Sequence, residues 1–274
     1  MPTASKSIKI SSGVTVGGGG LFLIAGPCVI ESAERTLGIA RRTKAVADAL
    51  GLPFIFKASF DKANRTSLRS FRGPGLDQGL EVLAEVKRTC HVPVLSDVHE
   101  TAHVEKAAEV LDVIQIPAFL CRQTDLLVAA ARTGKPVNVK KGQFLSPYDM
   151  KNVVEKIESA GNTRILLTER GTMFGYNNLV FDVRAIPIMK SFGYPVVIDA
   201  SHSVQRPGGR GDVSGGEKEF IPVIARAGVS AGADGIFLEV HDEPSQALSD
   251  KDNSLKVREL KELVATLLRL KKAL

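Results

Sequence analysis

The chain has 274 residues, 44% of them hydrophobic and 24% charged, a composition typical of globular proteins with room for one large domain or two small ones. No stretch approaches the roughly 18–20 consecutive apolar residues of a membrane span, and the start lacks the apolar core of a secretory signal, so we expect a cytoplasmic protein without a membrane partner. The net charge of +6 sits at the two ends, because residues 254–274 carry six Lys or Arg against two Glu and residues 1–20 carry two Lys. With no Trp and only 5% aromatic residues, nucleic-acid binding is a minor alternative.

The first segment, residues 1–20, contains a weakly alternating stretch with glycines at its bend. We predict an N-terminal β-hairpin that covers the bottom of the domain formed by residues 21–274.

Eight apolar, β-branched-rich runs follow, and helical segments separate them. The runs are residues 21–26, 53–59, 92–98, 113–118, 136–142, 164–171, 195–202 and 235–241. In the first helical segment Ser32 is a candidate N-cap and Gly51 a stop, and the last segment has leucines at helical spacing. This alternation predicts an α/β protein, a closed (β/α)₈ TIM barrel. A doubly wound sheet is the alternative, but it more often shows a glycine-rich dinucleotide turn after its first strand, which this chain lacks.

Charged residues cluster at the ends of the predicted strands, where a barrel carries its catalytic groups. The cations that converge from strands 2, 5 and 6 are Lys57, Lys62, Arg65, Lys140 and Arg170. Clustered Lys and Arg in a cleft suit phosphate or carboxylate, so we expect a small anionic substrate. A structural ring of salt bridges is the alternative, and it would account for residues such as Asp97 and Lys141.

A second group surrounds the first strand. Barrel closure places strand 8 beside strand 1 and strand 7 on its other side, so Cys28, His202 and Glu239 fall on neighbouring strands, and Asp250 follows strand 8. These side chains are able to bind a transition metal, and their mixed character leaves its identity open. Individually, Cys28 also suits inert packing, His202 a simple hydrogen bond and Glu239 an ion pair. His99 and His241 are candidates to support the ligands.

Several stretches carry a resemblance to one family over the whole chain. They include AGPCVIES, FKASFDKANRTS, FRGPGLDQGL, NVKKGQF, ERGTMFGYNNLVFD, DASHSVQRPGG and the EVH at 239–241. The chain resembles the 3-deoxy-D-manno-octulosonate 8-phosphate synthases. The resemblance implies an aldol-type transferase that condenses phosphoenolpyruvate with D-arabinose 5-phosphate and water. The reaction gives 3-deoxy-D-manno-octulosonate 8-phosphate, a precursor for lipopolysaccharide synthesis, and releases inorganic phosphate. The alternatives are a heptulosonate 7-phosphate synthase that uses erythrose 4-phosphate and a non-catalytic barrel that binds sugar phosphates.

The resemblance also implies roles for individual residues. Those that would bind phosphoenolpyruvate are Lys57, Ser59, Lys62, Ala118, Lys140 and Arg170. Those that would bind the sugar phosphate are Asn64, Arg65 and Thr66. Those that would shape the pocket are Asp97, Gln115 and Phe119. The catalytic set is Lys62, Asp97, Lys140 and His202.

The family divides by metal requirement, with Cys in metal-dependent members and Asn in metal-independent ones at the position of Cys28. The chain therefore resembles the metal-dependent type, with the ligand set Cys28, His202, Glu239 and Asp250. The divalent transition metal (zinc, iron, manganese or cobalt) is not specified by these residues. The usual Ser-Asp-Gly-Pro after strand 8 reads SDKDNS here, so the loop holding Asp250 departs from the family pattern. The resemblance implies a homotetramer, and the glycine-rich loop 206–216 is a candidate lid.

Overall fold

Eight parallel strands close into a barrel in the computed structural model, which describes residues 5–209 and 215–274. The strands are β1 (Phe22–Gly26), β2 (Phe54–Lys57), β3 (Val94–Asp97), β4 (Val113–Ile116), β5 (Val137–Lys140), β6 (Ile165–Glu169), β7 (Val196–Asp199) and β8 (Gly235–His241). Every residue in them is buried, as expected of a parallel sheet covered on its outer face. All eight predicted strands are confirmed.

The barrel closes through β8. Glu239 in β8 lies in register with Gly26 in β1, and Phe237 in β8 lies in register with Asp199 in β7. The other neighbours follow chain order from β1 to β7. The predicted adjacency of strands 7, 8 and 1 is therefore confirmed, and the doubly wound alternative is excluded.

A helix follows each strand and packs outside the barrel, which gives the (β/α)₈ architecture. The helices are α1 (Ala33–Leu50), α2 (Leu76–Cys90), α3 (Thr101–Val110), α4 (Thr124–Arg132), α5 (Met150–Ser159), α6 (Ala185–Lys190), α7 (Ile221–Ser230) and α8 (Val257–Ala273). The predicted caps of α1 are confirmed, because the Ser32 side chain accepts from the Arg35 N–H and Gly51 adopts a left-handed φ of 65°.

Short strands extend the barrel at both ends. At the N-terminus Ile8–Ser11 pairs with Val14–Val16, which confirms the predicted hairpin. The Lys6 N–H donates to the Gly193 carbonyl just before β7, so the segment that leads into the hairpin contacts the amino-terminal end of the strands. The division at residue 20 into an extension and a domain stays a prediction.

Loops at the opposite end carry the remaining short strands. They are Thr172–Met173 paired with Leu179–Val180, Gln205–Arg206 paired with Gly215–Gly216, and Leu255–Lys256 beside β8. The predicted lid, 206–216, includes residues 210–214, which lie outside the described part of the chain. Among the helices that the structure describes, none combines the length and apolarity needed to cross a bilayer.

Candidate active site at the carboxyl ends of the strands

A cavity of about 560 Å³ opens at the carboxyl ends of the barrel strands. The predicted residues in its wall are Lys57, Lys62, Asn64, Arg65, Thr66, Asp97, Gln115, Ala118, Phe119, Lys140, Arg170, His202 and Asp250. Three predicted site residues, Cys28, Ser59 and Glu239, lie buried behind this wall. Side chains from seven strands, β2 to β8, and the loops after them thus meet in one space, as the barrel predicts.

Lys57 is a cation that the protein already neutralises. Its side chain is 1% exposed, and its Nζ donates to the Cys28 carbonyl at 2.7 Å and to Glu239 Oε1 at 3.0 Å. Glu239 is fully buried, and its second oxygen, Oε2, has no hydrogen-bond partner among the described residues. Burial opposes its ionisation, but His202 and Lys57 lower the pKa of Glu239 below its ordinary value. The pair is therefore a charged pair that retains one free acceptor.

Asp199 joins two predicted catalytic side chains at the end of β7. Its Oδ2 accepts from Lys140 Nζ at 2.5 Å and from His202 Nδ1 at 2.7 Å, and its Oδ1 accepts from the His202 N–H at 2.8 Å. Because Nδ1 faces a carboxylate, the imidazole directs Nε2 to Glu239, 3.4 Å from Oε1. Burial opposes the ionisation of Asp199, but His202 and Lys140 lower its pKa. His202 is thereby held in one orientation.

Lys62 and Asp97 face one another across the neighbouring part of the wall. Ser59 donates to Asp97 Oδ1 at 2.5 Å, and His99 Nε2 lies 3.4 Å from Asp97 Oδ2. Burial opposes the ionisation of Asp97, yet Lys62 and a hydrogen bond from His99 hold its pKa well below its usual range. Burial favours neutral Lys62, but Cys28, Asp97 and Glu239 raise its pKa above its ordinary value. Both side chains are charged at neutral pH.

Two guanidinium groups in the wall retain unused donors. Arg170 is 4% exposed and donates from Nη2 to Gln205 at 2.7 Å, while its buried Nη1 has no partner among the described residues. Arg65 donates from Nε to the Phe71 carbonyl, and its buried Nη2 is likewise without a partner in residues 5–209 and 215–274. Buried donors of this kind cost free energy unless a ligand accepts from them. The arrangement suits anions at two positions in the cavity.

Three candidate metal ligands lie together beside the cavity. One ligand atom from each of Cys28, Glu239 and Asp250 falls within 4.8 Å of the other two. Cys28 Sγ donates to Asp250 Oδ2 at 2.9 Å and lies 2.8 Å from Ser249 Oγ. Burial, with Asp250 and Glu239 nearby, raises the pKa of the Cys28 thiol. His202 stands outside this close set but directs Nε2 at Glu239.

The loop that departs from the family pattern still brings Asp250 to this set. Asp250 has a left-handed φ of 47°, and its Oδ1 accepts from Gln205 Nε2 at 3.1 Å. Burial opposes its ionisation, but His202 and Lys62 lower the pKa of Asp250 to about 2. A thiol and two carboxylates, one of which (Glu239) keeps an unpartnered Oε2, are a donor set that fits a divalent transition metal.

Other residues of the site could not be identified from the positions of the predicted strand ends. Gln143 and Gln205 line the cavity, and the buried Oε1 of Gln143 has no partner among the described residues. Ser249 contacts Cys28, and Ser67 and Arg69 extend the wall beside Arg65. Lys141, in contrast, is fully buried outside the cavity and bonds the Gly142 and Leu145 carbonyls, with Glu169 3.6 Å away, as a structural role requires.

Comparison with known proteins places the chain in a family. Residues 5–274 match the profile of the DAHP synthetase I family. A protein named 2-dehydro-3-deoxyphosphooctonate aldolase from Trichlorobacter lovleyi is 60% identical over 264 residues, which cover 96% of this chain and 97% of that protein. Proteins of the same name from a Geobacter species and from Desulfosudis oleivorans are 61% and 60% identical, over 93% and 95% of this chain and 94% of each relative. On these matches the chain belongs to the DAHP synthetase I family, alongside the 2-dehydro-3-deoxyphosphooctonate aldolases.

Proposed function

We propose that this chain is a metal-dependent 3-deoxy-D-manno-octulosonate 8-phosphate synthase. It condenses phosphoenolpyruvate with D-arabinose 5-phosphate and water and releases inorganic phosphate. The observation that carries the proposal is a cavity with cations from several strands, in which Arg65 and Arg170 each keep a buried N–H donor without a partner. The relatives' shared name, at about 60% identity, supports the same reaction.

Phosphoenolpyruvate would bind beside β5 and β6. Arg170 presents its unused Nη1, and a guanidinium plane suits the bidentate geometry of phosphate or carboxylate. Lys62 and Lys140 add ammonium groups, and Ala118 offers its backbone in the cavity wall. Lys57 is bound to Glu239 and Ser59 to Asp97, so these two residues would assist binding by holding the residues around them in place.

Arabinose 5-phosphate would bind with its phosphate at the loop after β2. Asn64, Arg65 and Thr66 line the cavity there, and Arg65 retains a free donor. Asp250 lies close enough for its charge to interact with Arg65. The sugar would therefore reach from this loop toward the candidate metal centre, with its aldehyde at the inner end.

Carbon–carbon bond formation joins the two substrates. C3 of phosphoenolpyruvate attacks the aldehyde carbon, whose oxygen takes a proton to become a hydroxyl. Water adds at C2 and gives up one proton. The bond between C2 and the phosphate ester oxygen then breaks, and the new C2 hydroxyl loses its proton to the departing phosphate as the ketone forms. Positive charge that develops at C2 would be stabilised by Asp97 and other groups already fixed in the site. His202, held by Asp199, would lie near the departing phosphate.

Cys28, His202, Glu239 and Asp250 would hold the divalent metal. Bound there, the metal supplies Lewis-acid polarisation and orientation of a substrate oxygen. Lys57 fixes the segment of Cys28 and one oxygen of Glu239, and Gln205 fixes one oxygen of Asp250, so these donors are oriented in advance.

A coupled assay with two aldehydes tests the substrate. The purified protein should release phosphate from phosphoenolpyruvate with arabinose 5-phosphate and much less with erythrose 4-phosphate. Turnover of erythrose 4-phosphate alone would support the heptulosonate alternative. No turnover of either aldehyde by metal-loaded protein would support the non-catalytic barrel.

Chelation tests the metal. Activity should fall on exhaustive chelation and return when zinc, iron, manganese or cobalt is added back, and elemental analysis should find the metal that is retained. Cys28→Asn should retain less metal because it lacks the thiolate. Full activity in metal-free protein would contradict the metal requirement.

The assembly and location are also proposals. Large apolar side chains are exposed in adjoining loops after β4, β5 and β6; they are Phe119, Phe144, Tyr148, Phe174 and Tyr176. A backbone bond from Met173 to Gln143 joins two of these loops. Such a patch suits contact between copies, so we propose a homotetramer, which light scattering after gel filtration should measure. Cell fractionation should recover the protein in the cytoplasm.

A further inference from the structure

Glu31 lies at the point where three segments of the site converge. Its side chain is 7% exposed, and its Oε1 accepts from the Leu248 N–H at 2.8 Å. Its Oε2 accepts from Arg35 at 2.6 Å and lies 3.4 Å from His241 Nε2. One carboxylate in the loop after β1 therefore contacts α1, the end of β8 and the loop after β8.

Each of these segments carries one of the grouped candidate ligands. Glu31 follows Cys28 by three residues, His241 follows Glu239 by two, and Leu248 precedes Asp250 by two. Two sets of contacts join the loop 242–250 to the loop 27–32. Cys28 Sγ contacts Ser249 and Asp250, and the Leu248 N–H donates to the Glu31 carboxylate. The Glu31 contact is the one that does not use a candidate ligand atom.

The His241 side chain is oriented to complete this contact. The Glu243 N–H donates to His241 Nδ1 at 3.1 Å, so Nδ1 is an acceptor and Nε2 carries the proton. That proton faces Glu31 Oε2. His241 is 2% exposed, so water does not readily replace the carboxylate. Loss of Glu31 would leave the buried imidazole N–H without its acceptor and would release the exposed Leu248 N–H to solvent.

We propose that Glu31 is a positioning residue that sets the spacing of the Cys28, Glu239 and Asp250 ligand atoms, and that it acts through the segments it joins and not by touching the metal. The inference rests on the proposed metal centre. Groups that orient metal ligands affect affinity although they lie outside the coordination sphere. Asp250 should depend on Glu31 most, because it lies in a loop, whereas Glu239 lies in β8 and the Cys28 carbonyl accepts from Lys57 Nζ and the Ser59 N–H.

Cobalt binding provides the test, because a cobalt–thiolate absorption band reports Cys28 directly. Metal-free wild type and Glu31→Ala would be titrated with Co²⁺ in competition with a chelator. We expect roughly 10–100-fold weaker cobalt binding in Glu31→Ala. Glu31→Gln should lose less, because its amide oxygen still accepts from Leu248. Glu34→Ala is the matched control, since Glu34 is an exposed residue in the first turn of α1.

Each outcome bears on a separate statement. If the wild type binds cobalt and Glu31→Ala loses no more cobalt affinity than Glu34→Ala, the role of Glu31 is wrong and the metal centre stands. A wild type that binds no cobalt contradicts the metal centre and, with it, this role. Circular dichroism and thermal melting of the metal-free variants distinguish unfolding from a local change. If Glu31→Ala does not fold, the cobalt affinity of Glu31→Gln, which keeps the side-chain volume, is compared with that of the wild type instead.

Discussion

Asp199→Asn removes one negative charge from the interior of the barrel with little change in shape. Asp199 is fully buried and accepts from Lys140 Nζ, His202 Nδ1 and the His202 N–H. Burial already lowers the pKa of Lys140, and Asp199 acts in the opposite direction. The variant therefore leaves a buried ammonium without its closest carboxylate.

The magnitude follows from the cost of breaking a buried ion pair. Removal of one partner costs about 3–5 kcal/mol of unfolding free energy. The lower end applies here, because the asparagine oxygen still accepts one hydrogen bond and Lys140 Nζ lies 3.5 Å from the centre of the Phe237 ring. At roughly 2–4 °C of Tm per kcal/mol for a large domain, about 3 kcal/mol corresponds to a fall of roughly 6–12 °C.

Asp182→Asn is a matched control for this measurement. Asp182 also pairs with a cation, Arg184, and also accepts from a backbone N–H, but its side chain is 38% exposed. A surface pair contributes about 0–1 kcal/mol, so its Tm should change by less than about 4 °C. Calorimetry at neutral pH compares both variants with the wild type. If Asp199→Asn melts within the range of Asp182→Asn, the reasoning that Lys140 depends on this carboxylate is wrong.

Three further changes test other parts of the site. Arg170→Lys should raise the KM for phosphoenolpyruvate by roughly 10–100-fold in steady-state assays, because lysine lacks the planar fork; an unchanged KM would remove Arg170 from the subsite. Asp97→Asn should lower the free energy of unfolding in denaturant more at pH 7 than at pH 3. A carboxyl with a lowered pKa stabilises the fold above about pH 4, and this contribution is lost as the pH falls. An equal difference from the wild type at both pH values would contradict the lowered pKa. Gly26→Ala should lower the Tm by several degrees more than the control Gly13→Ala. A Cβ at Gly26 would lie 1.9 Å from the Lys57 carbonyl oxygen, whereas a Cβ at Gly13 meets nothing within 4 Å. Similar Tm values would show that β1 and β2 separate easily.

The fold was predictable because its signals are local and repeat eight times. Continuous apolar runs identify buried parallel strands, and Ser32 and Gly51 mark the helix between the first two. Most observed strands are shorter than the predicted runs; β2, for example, ends at Lys57 although the run continues to Ser59. Beyond Lys57 the pairing with β1 is reduced to an isolated bridge between Ser59 and Val29, a change that hydrophobicity does not indicate.

The metal corner was predictable from topology and the family pattern, whereas the pairing of the cations was not. Once β8 lies beside β1, Glu239 pairs with Gly26, and Cys28, two residues further on, leaves the same end of the barrel. The contact of Lys57 with Glu239 depends instead on how far a side chain reaches past β1, from β2 to β8. Asp199, likewise, lies at the end of β7 and contacts His202, three residues further on, as well as Lys140 in β5, two strands away. Spacing alone counted Lys57 among cations free for an anion, and the structure shows it already paired.

These pairings explain how so many charges share one buried space. Lys57 and Lys140 each have a carboxylate partner, which removes most of the repulsion between them. The groups without a partner in the described site include Gln143 Oε1 and His99 Nδ1. They also include guanidinium donors on Arg65 and Arg170 and, among the candidate metal ligands, one acceptor, Oε2 of Glu239. The free donors suit anions and the free acceptor suits a cation, so the site separates positions for two anionic substrates from a position for a metal. Hydrogen bonds hold Arg65 and Arg170, and an ion pair with Lys57 holds Glu239, so their orientation does not depend on the substrates. We therefore expect binding to meet a preformed electrostatic field, with little reorganisation cost when charge develops at C2.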